Sequence, residues 1–107
     1  MSLSTESSDS NNKSKYLLEK YPERKPIILR NEDNKTYKFL AHNNHTISVI
    51  LIPLRKKMDI RSHESIFLFI NKQIIPCSTD QIIDLYNKYK SKDGFLYIDV
   101  RKENTFG

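Results

Sequence analysis

Pro26-Ile27-Ile28-Leu29-Arg30, the polar run Asn31-Glu32-Asp33-Asn34, and then Lys35-Thr36-Tyr37-Lys38-Phe39-Leu40-Ala41 read as strand, turn and strand, a hairpin on which the fold assignment rests. In the second strand Tyr37, Phe39 and Ala41 alternate with Lys38 and Leu40, so the two sets face opposite sides of a sheet. A helical stripe follows: Ile47, Ile50, Leu51, Leu54 and Met58 fall at i, i+3, i+4, i+7 and i+11, with Thr46 placed as N-cap. That stripe is expected to cover one face of the sheet. Pro53 lies inside it, where it removes a backbone donor, so a kink or a shortened helix is expected.

Further along, Ile66 to Ile70 is an unbroken apolar run, read as a central strand buried on both sides. Ser78-Thr79-Asp80-Gln81 offers a capping box for a helix carrying Ile82, Leu85, Tyr86 and Tyr89 on one face. Asp93-Gly94 marks a turn and Phe95 to Val100 a closing strand. Ahead of the hairpin, Tyr16, Leu17, Leu18 and Tyr21 give contacts to a short helix that begins at Ser14 and ends before Pro22. The order ββαβαβ is that of an α+β, β-grasp (ubiquitin-like) domain, one mixed sheet wrapped on a helix. Residues 1–13, nearly all polar, read as a disordered arm. The domain occupies 14–107, with 101–107 as a flexible tail.

The 107 residues suffice for a single core. One cysteine, Cys77, closes no internal disulfide, and Met1 to Lys15 has no apolar run that would serve as a secretory signal, so a cytoplasmic location is expected. No apolar stretch approaches the ~20 residues needed to cross a bilayer. The net charge of +5, with Arg55-Lys56-Lys57 and Lys88, Lys90 and Lys92 as concentrations, favours anionic surfaces. Aromatic residues do not alternate with arginine as a nucleic-acid stacking platform requires, so no nucleic-acid partner is expected. No carboxylate pair, nucleophile with its base, glycine-rich phosphate loop or metal cluster is present, and an enzyme, a cofactor and a metal site are not expected. His42 and His45 lack a third ligand at suitable spacing and read as surface residues.

The blocks Lys20-Tyr21-Pro22-Glu23-Arg24-Lys25-Pro26-Ile27, Ile66-Phe67-Leu68-Phe69-Ile70-Asn71, Lys92-Asp93-Gly94-Phe95-Leu96-Tyr97 and Glu103-Asn104-Thr105-Phe106-Gly107, in this order and spacing, resemble the autophagy ubiquitin-like modifiers of the GABARAP type. The resemblance covers Tyr16 to Gly107. It implies activation of the Gly107 carboxylate by an E1-like enzyme, transfer as a thioester to an E2-like enzyme, and covalent attachment to phosphatidylethanolamine. The protein would then sit as a lipid-anchored peripheral protein on autophagosomal and vacuolar or lysosomal membrane. Glycine suits such an end because it has no Cβ to obstruct an enzyme groove.

The resemblance also implies a groove for receptor peptides bearing an aromatic residue, two spacers and an aliphatic residue, bound by strand addition to Lys35–Ala41. Matched residue by residue, the aromatic pocket involves Leu17, Pro26, Ile28, Lys38, Leu40 and Phe95. The aliphatic pocket involves Phe39, Ala41, Ile50, Leu54 and Lys57, with Arg24 a further basic position. His42, His45 and Pro53 depart from the family pattern around that second pocket, which is expected to be more polar or reshaped. A short hairpin loop and an extra residue in Pro76–Tyr86 resemble instead the sister autophagy modifier that is joined to a protein lysine. A β-grasp adaptor that binds peptides without being conjugated is the third reading.

Overall fold

The computed structural model describes residues 12–61 and 63–102. Residues 12–20 form helix α1, followed by β1 (Arg24–Arg30), β2 (Thr36–His42), α2 (Ile47–Lys57), β3 (Ile66–Ile70), α3 (Ile82–Tyr89) and β4 (Leu96–Lys102). The strands make one mixed sheet in the order β2-β1-β4-β3, with β1 parallel to β4 and both outer pairings antiparallel. This is the ubiquitin-like arrangement that the hairpin and the two helical stripes predict.

The hairpin turn forms because Asn31 spends its side chain on it: Oδ1 accepts from the amides of Asp33 and Lys35, both at 2.9 Å. Asn34 takes φ +66°, a conformation that asparagine tolerates better than most residues. Helix α2 starts at Thr46, whose Oγ1 accepts from the Val49 amide at 3.4 Å, and buries Ile47, Ile50 and Leu54 against the sheet. The core joins these to Ile27 and Leu29 of β1, Leu68 and Ile70 of β3, Ile82 and Leu85 of α3, and Leu96, Ile98 and Val100 of β4.

The structure corrects several expectations. Ile66–Ile70 is an edge strand rather than a central one, and Phe67 is 46% exposed. The central strands are β1 and β4, where Pro26 to Leu29 and Ile98 to Val100 are buried in succession. Helix α2 runs through Pro53 to Lys57 without interruption, with Pro53 on its exposed side. Gln81 caps α3 with no side-chain bond, so there is no capping box; Asp80 Oδ2 instead accepts from the Cys77 amide at 2.9 Å. Asn12 and Lys13, assigned to the polar arm, are helical, and Arg101 and Lys102, assigned to the tail, extend β4 opposite Phe67 and Ile66. The remaining arm residues 1–11 and tail residues 103–107, including Gly107, lie outside the described residues.

Candidate functional site

Among the described residues, edge strand β2 offers an unpaired row of backbone groups, and the register shows which ones. The Asn31 amide donates to the Lys35 carbonyl at 3.0 Å and the Asn43 amide to the Glu23 carbonyl at 2.8 Å, which sets the phase of the ladder at both ends. With Leu29 opposite Tyr37, Ile27 opposite Phe39 and Lys25 opposite Ala41, these three are the bonded pairs. The N–H and C=O groups of Lys38 and Leu40 therefore point outward, free to bond an added strand.

Beside this edge an apolar cleft of 280 Å³ is lined by Leu17, Pro26, Ile27, Lys38, Phe39, Leu40 and Phe95. Five of the residues matched to the aromatic pocket thus converge: Leu17 from α1, Pro26 from β1, Lys38 and Leu40 from β2, and Phe95 before β4. Ile28 does not line it. Ile28 sits between Lys38 and Tyr97 in the sheet register and is 7% exposed, while its neighbour Ile27 reaches the cleft.

A polar hub that sequence reasoning missed holds one wall of the cleft in place. Buried Ser14 donates from Oγ to the Asp93 carbonyl at 2.5 Å, pinning α1 on the Asp93-Gly94 turn. The Asp93 carboxylate accepts from the Phe95 amide at 3.0 Å and from the Tyr97 hydroxyl at 2.6 Å, while Tyr86 donates to the Gly94 carbonyl at 2.6 Å. Burial and the bond to Asp93 push the Tyr97 hydroxyl up to about 12, and burial raises Tyr86 as well. Both phenols thus remain donors across the physiological range. The Asp-Gly dipeptide was legible as a turn, but only the folded chain brings Ser14 to it.

The residues matched to the second pocket divide between core and surface. Ala41, Ile50 and Leu54 are at most 2% exposed and belong to the core, whereas Phe39 is half-buried and Lys57 and Arg24 are exposed. At this end of β2 stand His42 and His45, ring centroids 5.3 Å apart, with His42 Nε2 3.7 Å from Glu23 Oε1. Burial lowers nearby Lys25, whose Nζ lies 2.9 Å from Asn43 Oδ1. Among the described residues, no helix is long and apolar enough to cross a membrane and no three of His, Cys, Asp and Glu group as metal ligands.

Comparison with known proteins matches residues 9–107 to the family model described as autophagy protein Atg8, ubiquitin like. An autophagy-related protein 8-like protein of Dictyostelium discoideum is 38% identical over 97 residues, 82% of this chain and 77% of the relative. Autophagy-related protein 8 of Schizosaccharomyces pombe is 34% identical over 100 residues, covering 88% of this chain and 82% of that one. The crystal structure of Trypanosoma brucei ATG8 superposes with a TM-score of 0.81 at 28% identity, over 94% of this chain and 91% of the other.

Proposed function

The chain belongs to the Atg8 family of autophagy ubiquitin-like proteins, and from that premise we propose that it is a modifier joined through Gly107 to phosphatidylethanolamine on autophagosomal membranes, where it docks receptor peptides by strand addition. The observation that carries the reading is the apolar cleft opening beside the unpaired Lys38 and Leu40 backbone. An aromatic peptide side chain fills the cleft and desolvates, while the peptide backbone completes the edge.

In the conjugation the chain is the substrate and supplies no catalytic group. In the E1-like enzyme the Gly107 carboxylate attacks ATP and expels pyrophosphate to give an acyl adenylate, and a cysteine thiolate displaces AMP to give a thioester. The E2-like enzyme's thiolate takes over the acyl group and frees the first thiolate, and the lipid amine displaces that second thiolate, which takes the amine proton, to leave an amide. Two acyl chains then anchor the protein where one would bind reversibly. Lysines and arginines close to an anionic surface add about 1 kcal/mol each, which assists that anchor without replacing it.

One preparation tests both halves. With ATP, the purified E1-like and E2-like enzymes and liposomes containing phosphatidylethanolamine, the wild-type chain should gain the mass of one lipid and float with the liposomes, and Gly107→Ala should not. Those liposomes should capture a tryptophan-anchored peptide. Leu40→Gln should conjugate equally and capture much less, since a polar side chain then enters the cleft. No mass gain, a protein-sized adduct on a lysine, or capture unaffected by Leu40→Gln would overturn the corresponding half.

A further inference from the structure

The sheet has a second face. Leu68 and Ile70 of β3, Leu96, Ile98 and Val100 of β4, and Ile27 and Leu29 of β1 join the core with the buried residues of α2 and α3. Because side chains alternate along a strand, Phe67 and Phe69, then Tyr97, Asp99 and Arg101, then Ile28 and Arg30 point the other way. The register lines them up across the strands: Phe67 is paired with Arg101, Phe69 with Asp99, and Asp99 in turn with Arg30. Aromatic rings from two neighbouring strands thus share one face with two arginines. The aromatic and arginine alternation that is absent along the chain is assembled across it.

Two of the rings carry a cation. Arg101 Cζ lies 5.5 Å from the centre of the Phe69 ring, and Arg30 Cζ lies 5.7 Å from that of Tyr97. Phe67 is exposed, and Phe69 and Tyr97 are half-buried. Beside Tyr97 an open cleft of 510 Å³ is lined by Arg30, Asn71, Lys72, Ser91 and Tyr97. Lys38 of β2, exposed opposite Ile28, borders the face. The acids met here are Asp99, which accepts from Arg30 Nε at 2.9 Å, and Asp93, which accepts from the Tyr97 hydroxyl. Arg30, Lys38, Lys72 and Arg101 outnumber these carboxylates. Glu32 and Asp33 line another cleft with Met58 and Val100, on the core side, and Glu64 is 3.5 Å from Lys102 at the end of the sheet.

We propose that this face binds single-stranded nucleic acid without base preference, with bases on Phe67, Phe69 and Tyr97 and phosphates on Arg30, Lys72 and Arg101. Rings two residues apart on a strand stand about 7 Å apart, and diagonal positions on neighbouring strands about 7–8 Å. That is about twice the rise of stacked bases in DNA, so each ring takes one unstacked base. A guanidinium already lying against a ring is placed to sandwich a base and to donate to the adjoining phosphate. An acyl layer suits the same groups poorly, because it strips water from the guanidinium groups without giving them an acceptor. The proposal is independent of conjugation and of peptide docking, since β3 and β2 are the opposite edges of the sheet.

The test titrates fluorescein-labelled oligouridylate and oligothymidylate with the full chain and follows anisotropy between 50 and 200 mM salt. Both strands should bind, with affinity falling as salt rises, and each should bind several-fold more weakly once annealed into a duplex. Phe69→Leu keeps the apolar packing and removes the ring, and should weaken binding about 5- to 100-fold, the range of one lost base stack. Phe67→Ala, at an exposed position, should act in the same direction. Arg101→Gln should reduce the slope of log affinity against log salt by about 0.7. A retained cooperative urea transition shows that each variant is folded. Equal affinity for duplex and single strand, or affinity unchanged by both phenylalanine substitutions, would reduce the face to a general polycation and overturn the proposal. Absence of oligonucleotide binding at 50 mM salt would overturn it too, as would binding to phosphatidylserine vesicles in its place that the same substitutions abolish.

Discussion

Substituting Gly94→Ala should destabilise the domain by a route that runs through α1. Gly94 has φ +87°, and a Cβ placed there would collide with Ser14 Oγ and lie 2.8 Å from Ser14 Cβ. The left-handed backbone costs an L side chain roughly 1–2 kcal/mol. Pushing Ser14 aside breaks its bond to the Asp93 carbonyl, about 1 kcal/mol more. The sum, about 2–3 kcal/mol, corresponds to a fall of about 1–2 M in urea midpoint for a domain of this size. The backbone part is independent of Ser14 and the collision is not, which a double-mutant cycle with Ser14→Gly separates. Against Ser14→Gly the Gly94→Ala penalty should shrink by about 1 kcal/mol, well outside the ~0.3–0.5 kcal/mol scatter of independent sites. An undiminished penalty would show that α1 does not press on the Asp93-Gly94 turn, and the account of the cleft wall would fall with it.

Leu54, fully buried in the core although matched to a peptide pocket, should cost about 2–5 kcal/mol in chemical denaturation when changed to Ala, whereas exposed Lys57→Ala should stay within about 0.5 kcal/mol. Equal small effects would return Leu54 to the binding surface. Tyr97 predicts an alkaline dependence: its hydroxyl is raised to about 12 from 10.0, so the folded state favours the protonated form. The stability it contributes is therefore fully present below pH 10 and lost as pH rises toward 12. The stability difference between wild type and Tyr97→Phe, measured by denaturation across pH 8 to 12, should hold and then vanish over that window; a difference that is flat with pH refutes the Asp93 contact.

What the sequence reveals depends on whether a pattern has one structural meaning. The alternation in Thr36–His42 and the stripe from Ile47 to Met58 each fit one geometry, and both elements form where expected. The run Ile66–Ile70 fits two, because apolar residues on both faces describe a buried central strand and also an edge strand with Phe67 in solvent. Only the pairing of β1 with β4, between residues about 70 apart in sequence, decides the matter. The cleft was legible through its matched residues. Its support by Ser14 was not, since that bond joins positions 79 apart. The second pocket was less legible for a further reason: Ala41, Ile50 and Leu54 are packed in the core, and an apolar residue reads the same in sequence whether it fills a core or walls a pocket.

The position of β3 has a consequence for handling the protein in quantity. A sheet that ends on β2 at one side and on β3 at the other has two ends at which a further chain can hydrogen-bond, and the β3 end, Ile66-Phe67-Leu68-Phe69-Ile70, carries no charge to repel a second copy. Its protection is brevity, five residues whose last, Ile70, is also bridged to Ile74. Crowding such molecules on a vesicle, or warming them until that bridge frays, exposes a segment of the composition from which cross-β fibrils nucleate.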